Sequence, residues 1–304
     1  MMKLSARTCL FRFLLLPLLF AGCIQEDLSD CPPVGIKVYF SYASTYAPKG
    51  INPAEVDRID LFVFDEQGIF LSQWSDETPQ LSPDYYITIS SLPEGDYQFI
   101  AWGGMHECYA AAPAVFKVGQ TTFAEAKLVL EHLSSDIPAG LHPLFHAAKI
   151  SHIDPVREQM VVMPLVQNHN TINLSTEGLP SSGDTFRFTI TDNNGQYNFD
   201  NSFAPDVNFN YTTLCGKDAQ GQLQSTLTVL RLGADRHPQL TVYNETEGTV
   251  LFTEDLVKLI NAAGTIDFAT THDFDIRLKF HTDASVDVMV NGWLVIENGE
   301  IILI

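Results

Sequence analysis

Leu92-Pro93-Glu94-Gly95-Asp96-Tyr97, running directly into Gln98-Phe99-Ile100-Ala101-Trp102, sets the expectation for the fold. Proline presets φ for the second residue of a tight turn, and glycine supplies a positive φ. The apolar stretch that follows, with two aromatics, continues as a strand. Working outward, the same grammar repeats. Val34 to Tyr42 alternates apolar and polar residues through Ile36, Val38 and Phe40, the period of a half-buried strand. Pro48-Lys49-Gly50 and Asn52-Pro53 break it. Ile59 to Phe64 and Ile69 to Trp74 are apolar runs joined by Asp65-Glu66-Gln67-Gly68, the composition of a hairpin loop, and Tyr85 to Ile89 is a further strand.

Downstream, Phe123 to Leu133 carries a helical spacing (Ala126, Leu128-Val129, Leu133) that a strand also satisfies. Gly, Pro and His crowd Pro138 to Pro155, which reads as a long loop. Met160 to Leu165 and Thr171 to Leu174 resume the strand pattern, as do Phe186 to Thr191, Leu223 to Leu232, Gln239 to Tyr243 and Thr249 to Phe252. Asp192-Asn193-Asn194-Gly195 reads as a plain turn of residues that tolerate the left-handed region. Thr253 is placed to cap a short helix from Glu254 to Ala262, with acidic residues in its first turn and Gly264 past its end. Asp275 to Phe280 and Val286 to Val290 alternate. Asn291 to Ile304 reads as a strand pair around Glu297-Asn298-Gly299-Glu300, because Asn-Gly is the strongest short hairpin signal. Many short strands with turns every 8 to 12 residues predict an all-β chain of two tandem β-sandwich domains with one or two short helices. The expected bounds are 34–158 and 159–304, with the junction near Glu158.

The N-terminus has a different character. Lys3, Arg7 and Arg12 precede an apolar run, Leu14 to Phe20, interrupted by Pro17. A positive start and a run too short to span a bilayer are the layout of a secretory signal peptide. Ala21-Gly22 directly before Cys23 looks like the lipobox of bacterial lipoproteins, whose peptidase cuts before the cysteine and leaves it lipidated. An ordinary signal peptide followed by an unrelated cysteine is the alternative. With residues 1–22 removed, a triacylated Cys23 is a firm anchor where a single chain would hold only marginally. Residues 23–33 then form an acidic tether through Gln25-Glu26-Asp27 and Asp30. Such a patch resembles the signal that sends some lipoproteins to the outer face of the outer membrane.

Charge and cysteine narrow the partners. The 304 residues include 17 Lys and Arg against 37 Asp and Glu, a formal charge of −20. Loss of the first 22 residues takes three basic and no acidic residues, which leaves 282 residues with 14 basic against 37 acidic groups, or −23. Such a chain repels nucleic acid and anionic headgroups, so neither is an expected partner, and contact with a membrane falls to the lipid. The 20 Phe and 10 Tyr argue for packed cores and against an acidic disordered chain. Of five cysteines, Cys9 leaves with the signal and Cys23 is taken by lipid, leaving Cys31, Cys108 and Cys215. Cys31 with Cys108, both in the N-terminal half, is the expected disulfide of an exported protein, and the odd number leaves one thiol unpaired or paired between chains.

Reaction chemistry finds little support. No C-x-x-C, H-E-x-x-H, G-x-S-x-G, Walker A loop or G-x-G-x-x-G occurs. His142 and His146 have i,i+4 spacing, but Pro143 between them breaks a helical face. His106 near Cys108 is a lone pair in a loop, and Asp192 to Gly195 lacks the ligand spacing of an EF-hand. No catalytic residue, metal or cofactor is expected. The apolar end Ile301-Ile302-Leu303-Ile304 has two readings. It is the last core strand of its own sheet, or it is a strand offered to another subunit, since an uncovered apolar edge invites aggregation unless a partner covers it.

Several features then fall in order. They are the lipobox at Cys23, Cys31-Pro32-Pro33, the strand Val38 to Tyr42, and Ile59-Asp60-Leu61-Phe62-Val63-Phe64-Asp65 with Gly68. Leu92 to Tyr97 follows, a turn similar to that of transthyretin-like and collagen-adhesin-like sandwiches, then Trp102-Gly103. Ile276 to Phe280, Val286 to Val290 and Gly292-Trp293 complete the series. In this order they resemble the FimB-like family of fimbrial anchor and minor subunits of type V pili, over essentially the whole mature chain. The resemblance implies two transthyretin-like, Greek-key sandwiches, no enzymatic activity, and a lipoprotein of the outer membrane. It also implies assembly with fimbrillin and accessory pilin subunits by strand exchange. In that class a C-terminal strand of one subunit fills a groove opened by proteolytic loss of an N-terminal strand, whereas an anchor keeps its own strand and limits pilus length. Cys23 to Pro53 holds no basic residue beyond Lys37 and Lys49, so an arginine-specific cut has no site there. Three alternatives stay open: a tip or accessory pilin, a surface lipoprotein that binds a glycan or host ligand through aromatics such as Trp74 or Tyr85-Tyr86, and a lipid-anchored hydrolase without a recognisable motif.

Overall fold

Tyr97 staples the corner that opened the sequence reading. Its hydroxyl donates to the Pro93 carbonyl at 3.1 Å, a bond back to upstream backbone of the kind that fixes corners in β-sandwiches. Strand β5 (Gly95–Gly103) leaves from it, and Gly95 is already the strand's first residue. The hairpin before it closes on Asp65, whose Oδ1 accepts from the Gln67 and Ile69 amides, while Gly68 takes a φ of 74° that L side chains avoid. The computed structural model describes residues 35–42, 52–90, 92–106, 108–132, 136–138, 140–179, 183–216 and 222–301. The signal and tether segments, the break at Pro48 to Gly50, Cys23, Cys31, Ile302, Leu303 and Ile304 lie outside them.

Two sheets enclose the first core. One has β10 (Gln159–Pro164), β1 (Ile36–Ser41) and β4 (Tyr86–Ile89) in that order, with β1 parallel to β10 and antiparallel to β4. The other runs β11 (Val166–Gln167), β9 (Phe145–Ile153), β5, β2 (Ile59–Phe64), β3 (Phe70–Asp76). Ile36, Val38, Phe40, Val161 and Met163 meet Leu61, Val63, Phe99 and Ala101 between them. All six residues of β2 are buried, because its other face, Phe62 and Phe64, packs with Trp102 into a second cluster. Phe116, Tyr197, Phe199 and a small sheet of β14 (Gln196–Asn198), β7 (Lys127–Leu130) and β6 (Tyr109–Ala112) line that side.

The second sandwich continues from this cluster. Its larger sheet orders β16 (Leu223–Leu230), β12 (His169–Glu177), β19 (Asp273–Phe280), β20 (Val286–Val290), β21 (Trp293–Glu297), β22 (Glu300–Ile301). Its smaller sheet orders β18 (Thr249–Asp255), β17 (Gln239–Asn244), β13 (Thr185–Asp192), β15 (Phe209–Gly216), β8 (Asp136–Pro138). Ile172, Leu174, Phe274, Ile276 and Leu278 share the core with Phe186, Phe188, Ile190, Leu240 and Val242, and α1 (Leu256–Ala262) adds Leu256, Leu259 and Ile260. The chain is therefore all-β, as the turn spacing predicts, with one α-helix and one 3₁₀ turn (Pro53–Glu55) among the described residues.

The structure decides three local readings. Of the two patterns that fit the Phe123 segment, the strand is the one realised: Ala126, Leu128 and Leu130 are buried with Lys127 and Val129 less so, a period of two that forms β7. Pro138 to Pro155 contains β9, a nine-residue strand poor in large apolar side chains but held by β5 along its whole length. The helix begins two residues late, since Thr253 and Glu254 still belong to β18 and Asp255, its last residue, is the cap, accepting from the Lys258 amide at 2.9 Å. Gln159–Pro164 joins β1 in the first sandwich, while β7 and β8 pair forward with β14 and β15. Asp255→Ala should lower unfolding stability by about 1 kcal/mol, read by urea titration, because the first turn loses its cap. A Thr253→Ala change should leave the helix alone.

Candidate functional site: the C-terminal strand pair

Two Asn-Gly turns build the end of the chain. Asn291 and Gly292 have φ of 49° and 85°, and Asn298 and Gly299 have 49° and 84°, so both pairs sit in the left-handed region that matches the twist of a two-residue hairpin. The first of these turns is easy to pass over in the sequence, hidden between Val290 and Trp293. Asn291 also pins its turn to β19, accepting from the Asp275 amide through Oδ1 at 2.8 Å and donating its own amide to the Asp275 carbonyl. The second turn rests on Asp287, whose Oδ1 accepts from the Asn298 amide at 2.8 Å while Oδ2 meets His281 Nε2 at 2.8 Å. The backbone bond from Asn298, then the bond to His281, hold the Asp287 carboxyl below its usual range.

β22 is the outer edge of the six-stranded sheet, and two registers hold its described residues: Ile301 opposite Ile296 and Glu300 opposite Glu297. Ile301 is half-buried and packs on the main core, opposite the buried Ile296 of β21. The Glu pair directly across the strands works against the hairpin, because like charges in that position repel. Ile301 pairs within the chain's own sheet, and Ile302 to Ile304 fall outside the described residues.

The other expected site residues are scattered. Cys108 is half-buried just before β6, its carbonyl accepting from the Glu131 amide at 2.7 Å. Cys215 is half-buried on β15, with Sγ 4.0 Å from Thr213 Oγ1. Of the aromatics, Trp74 packs on the first core, and Tyr85 donates to Asp76 at 2.8 Å. Tyr86 is exposed beside Tyr39, with Lys37 5.3 Å above its ring. His142 and His146 go to different places. His146 is buried on β9 and bonds the Phe199 carbonyl at 2.9 Å, whereas His142 is exposed. His142 instead meets His106, ring centroids 4.6 Å apart, and His106 Nε2 lies 2.6 Å from Asp57 Oδ1. The sequence carries no spacing signal for that trio, which only the sheet assembles. No helix among the described residues is long and apolar enough to cross a membrane.

A double sandwich with β22 at the edge of its six-stranded sheet defines an all-β protein of the β-sandwich class. More narrowly, residues 28–299 match the model of the family described as Mfa2, fimbrillin-A associated anchor proteins Mfa1 and Mfa2, and the chain belongs to that family. It is 26% identical over 289 residues to the minor fimbrium anchoring subunit Mfa2 of Porphyromonas gingivalis, covering 90% of this chain and 88% of that one. The solved structure of the fimbrial anchor protein Mfa2 from the same species superposes with a TM-score of 0.73 at 25% identity, over 86% of this chain and 98% of the other. A Bacteroides thetaiotaomicron structure described as a candidate polysaccharide-binding protein shares the fold at a TM-score of 0.74 and 22% identity, over 86% and 97% of the two chains.

Proposed function

We propose that the chain is a non-enzymatic outer-membrane lipoprotein, held by lipid on Cys23, that anchors a fimbria and joins fimbrillin and accessory pilin subunits by strand exchange. The observation that carries the reading is the family match across residues 28–299, which reaches from the tether through both sandwiches. The place of β1 supports an anchor in particular. It sits between β10 and β4 with Ile36, Val38 and Phe40 buried, so the first sandwich already holds the strand whose loss would open a groove for an incoming subunit. With its own groove filled and its N-terminus lipidated, such a subunit ends the polymer at the membrane and limits its length. The weakly matched β22, with Glu297 opposite Glu300, is then the segment free to be exchanged.

The test is a pull-down of the lipidated protein from outer-membrane extract, native against a chain truncated after Asn298. A ladder of fimbrial subunits that accompanies the native protein and vanishes on truncation, with the truncated chain still folded, is the expected result. A ladder that persists moves the joint elsewhere, and no pilin in either sample removes the fimbrial reading and leaves ligand binding through the exposed Tyr39–Tyr86 pair to be examined. In parallel, Cys23→Ser should shift the protein from the membrane pellet to the soluble fraction. Retention in the pellet would rule out lipid as the anchor.

A further inference from the structure

Asp57, His106 and His142 come from three separate connections, yet one row of the five-stranded sheet aligns them. In that row Ile59 pairs with Gly103, and Gly103 pairs with Phe145. Asp57 lies two residues before Ile59, His106 three after Gly103, and His142 three before Phe145. The sheet therefore delivers all three side chains to the same end. Gly104 locks the connections together. Its amide donates to the Arg58 carbonyl at 2.9 Å, and a Cβ at its position would stand 2.0 Å from the Pro143 carbonyl oxygen, so the backbones beside His106 and His142 can touch only because residue 104 is glycine. Its φ of 77° sits in the region open to glycine. The His106 carbonyl accepts from the Tyr109 amide at 2.7 Å, and the His142 carbonyl accepts from the Tyr109 hydroxyl at 2.9 Å, so Tyr109 fixes both histidine backbones.

We infer that this trio is a binding site for a borderline divalent transition metal, zinc being the best fit. One ligand atom from each residue lies within 4.8 Å of the other two, and no other group of three His, Cys, Asp or Glu among the described residues is gathered as closely. Two imidazole nitrogens and one carboxylate oxygen suit Zn²⁺, and they do not suit Mg²⁺ or Ca²⁺, which take oxygen ligands. A tetrahedral ion with bonds of about 2.0–2.1 Å holds its donors about 3.3 Å apart. The 2.6 Å contact between His106 and Asp57 opens slightly to admit it, and the longer separations close by side-chain rotation. Asp57 and His142 are exposed and His106 is partly so, which gives the ion an entry path and leaves a fourth position for water or a group from a neighbouring molecule. Bound there, the ion ties together three connections at one end of the first sandwich.

The experiment is a zinc titration of the full detergent-solubilised chain, without a histidine tag, by calorimetry. Cobalt substitution then reports geometry by its visible absorption. Saturable binding at one ion per chain, with tetrahedral cobalt bands, is expected. Asp57→Asn, His106→Gln and His142→Gln should each weaken binding about tenfold or more. Zinc should raise the thermal midpoint of the parent and not of the triple variant. The metal-free variants should unfold near the parent midpoint, since the side chains changed are mostly exposed. Absence of one-to-one binding up to millimolar zinc overturns the assignment, and so does binding of undiminished strength in the triple variant, which would place the ion on thiols or other histidines.

Discussion

Asn194→Ala should cost the fold about 3–5 kcal/mol in a urea titration, a large share of a stability of roughly 5–15 kcal/mol. Asn194 is fully buried in the stretch after β13, and its side chain works on both sheets of the second sandwich. Its Nδ2 donates to the Leu230 and Arg231 carbonyls at 3.1 and 3.3 Å, at the end of β16. Its Oδ1 accepts from the Tyr211 hydroxyl of β15 at 2.7 Å, and that hydroxyl in turn accepts from the Leu230 amide at 3.2 Å. Alanine leaves the carbonyls and the hydroxyl short of partners in a dry interior, and a buried polar group without a partner costs about 1–3 kcal/mol. Tyr211→Phe breaks the same network from the other side. The double variant should then lose less than the sum of the two by about 0.5 kcal/mol or more, the mark of a shared network. A single-variant loss under about 1 kcal/mol, with strict additivity, would mean that water replaces the amide and that the network carries little.

That residue also shows where a sequence stops speaking. Asp192-Asn193-Asn194-Gly195 has the letters of a left-handed turn, yet none of the four takes a positive φ. The polar side chains are spent inward: Asn194 on β15 and β16, and Asp192 on Arg236 at 2.7 Å with both ends nearly buried. A partner 36 residues away along the chain leaves no local trace. Where an element answers to local rules the reading is accurate. The β2–β3 hairpin, the alternation in β1 and the Asn298-Gly299 turn all appear within a residue or two of their expected places. β9 escaped because its stability comes from β5 alongside it and not from its own composition, and the helix cap moved because Asp255 outcompetes Thr253 two positions earlier. The candidate metal trio is the extreme case: its members are 49 and 36 positions apart in sequence, and only strand register unites them. The strand pair β21–β22 was legible because its turn residues, Asn298 and Gly299, are contiguous with the strands they join.

Acid should undo the structure from its interior before it touches the surface. Burial is the main cause that pushes His146 down from 6.5 to about 4, with Arg231 pushing the same way and the Phe199 carbonyl and Asp200 partly opposing. A histidine whose folded pKa is depressed binds its proton more readily when unfolded. Its full contribution is therefore present above about pH 6.5 and is lost as the pH falls towards 4. The linkage amounts to about 1.4 kcal/mol per pH unit within that window, or about 3 kcal/mol in all for His146. His272, also lowered to about 4 by burial but partly exposed, and His169, lowered by burial, act in the same direction. The depressed carboxyls of Asp200 and Asp287 do not confuse the result, since their contribution is whole above the ordinary carboxylate range and fades only below it. Between pH 6.5 and 5, then, the slope of stability against pH reports the buried imidazoles. His146→Gln keeps a donor for the Phe199 carbonyl and removes the proton site, so its slope in that window should be shallower by about 1 kcal/mol per unit, even where its stability at pH 7 is lower than the parent's. An unchanged slope would place the acid lability elsewhere. His146 links β9 of the first sandwich to Phe199 and the Trp102 cluster, which belong to the core shared with the second. Protonation there charges the seam between the two halves, so the first loss on acidification should be their mutual packing.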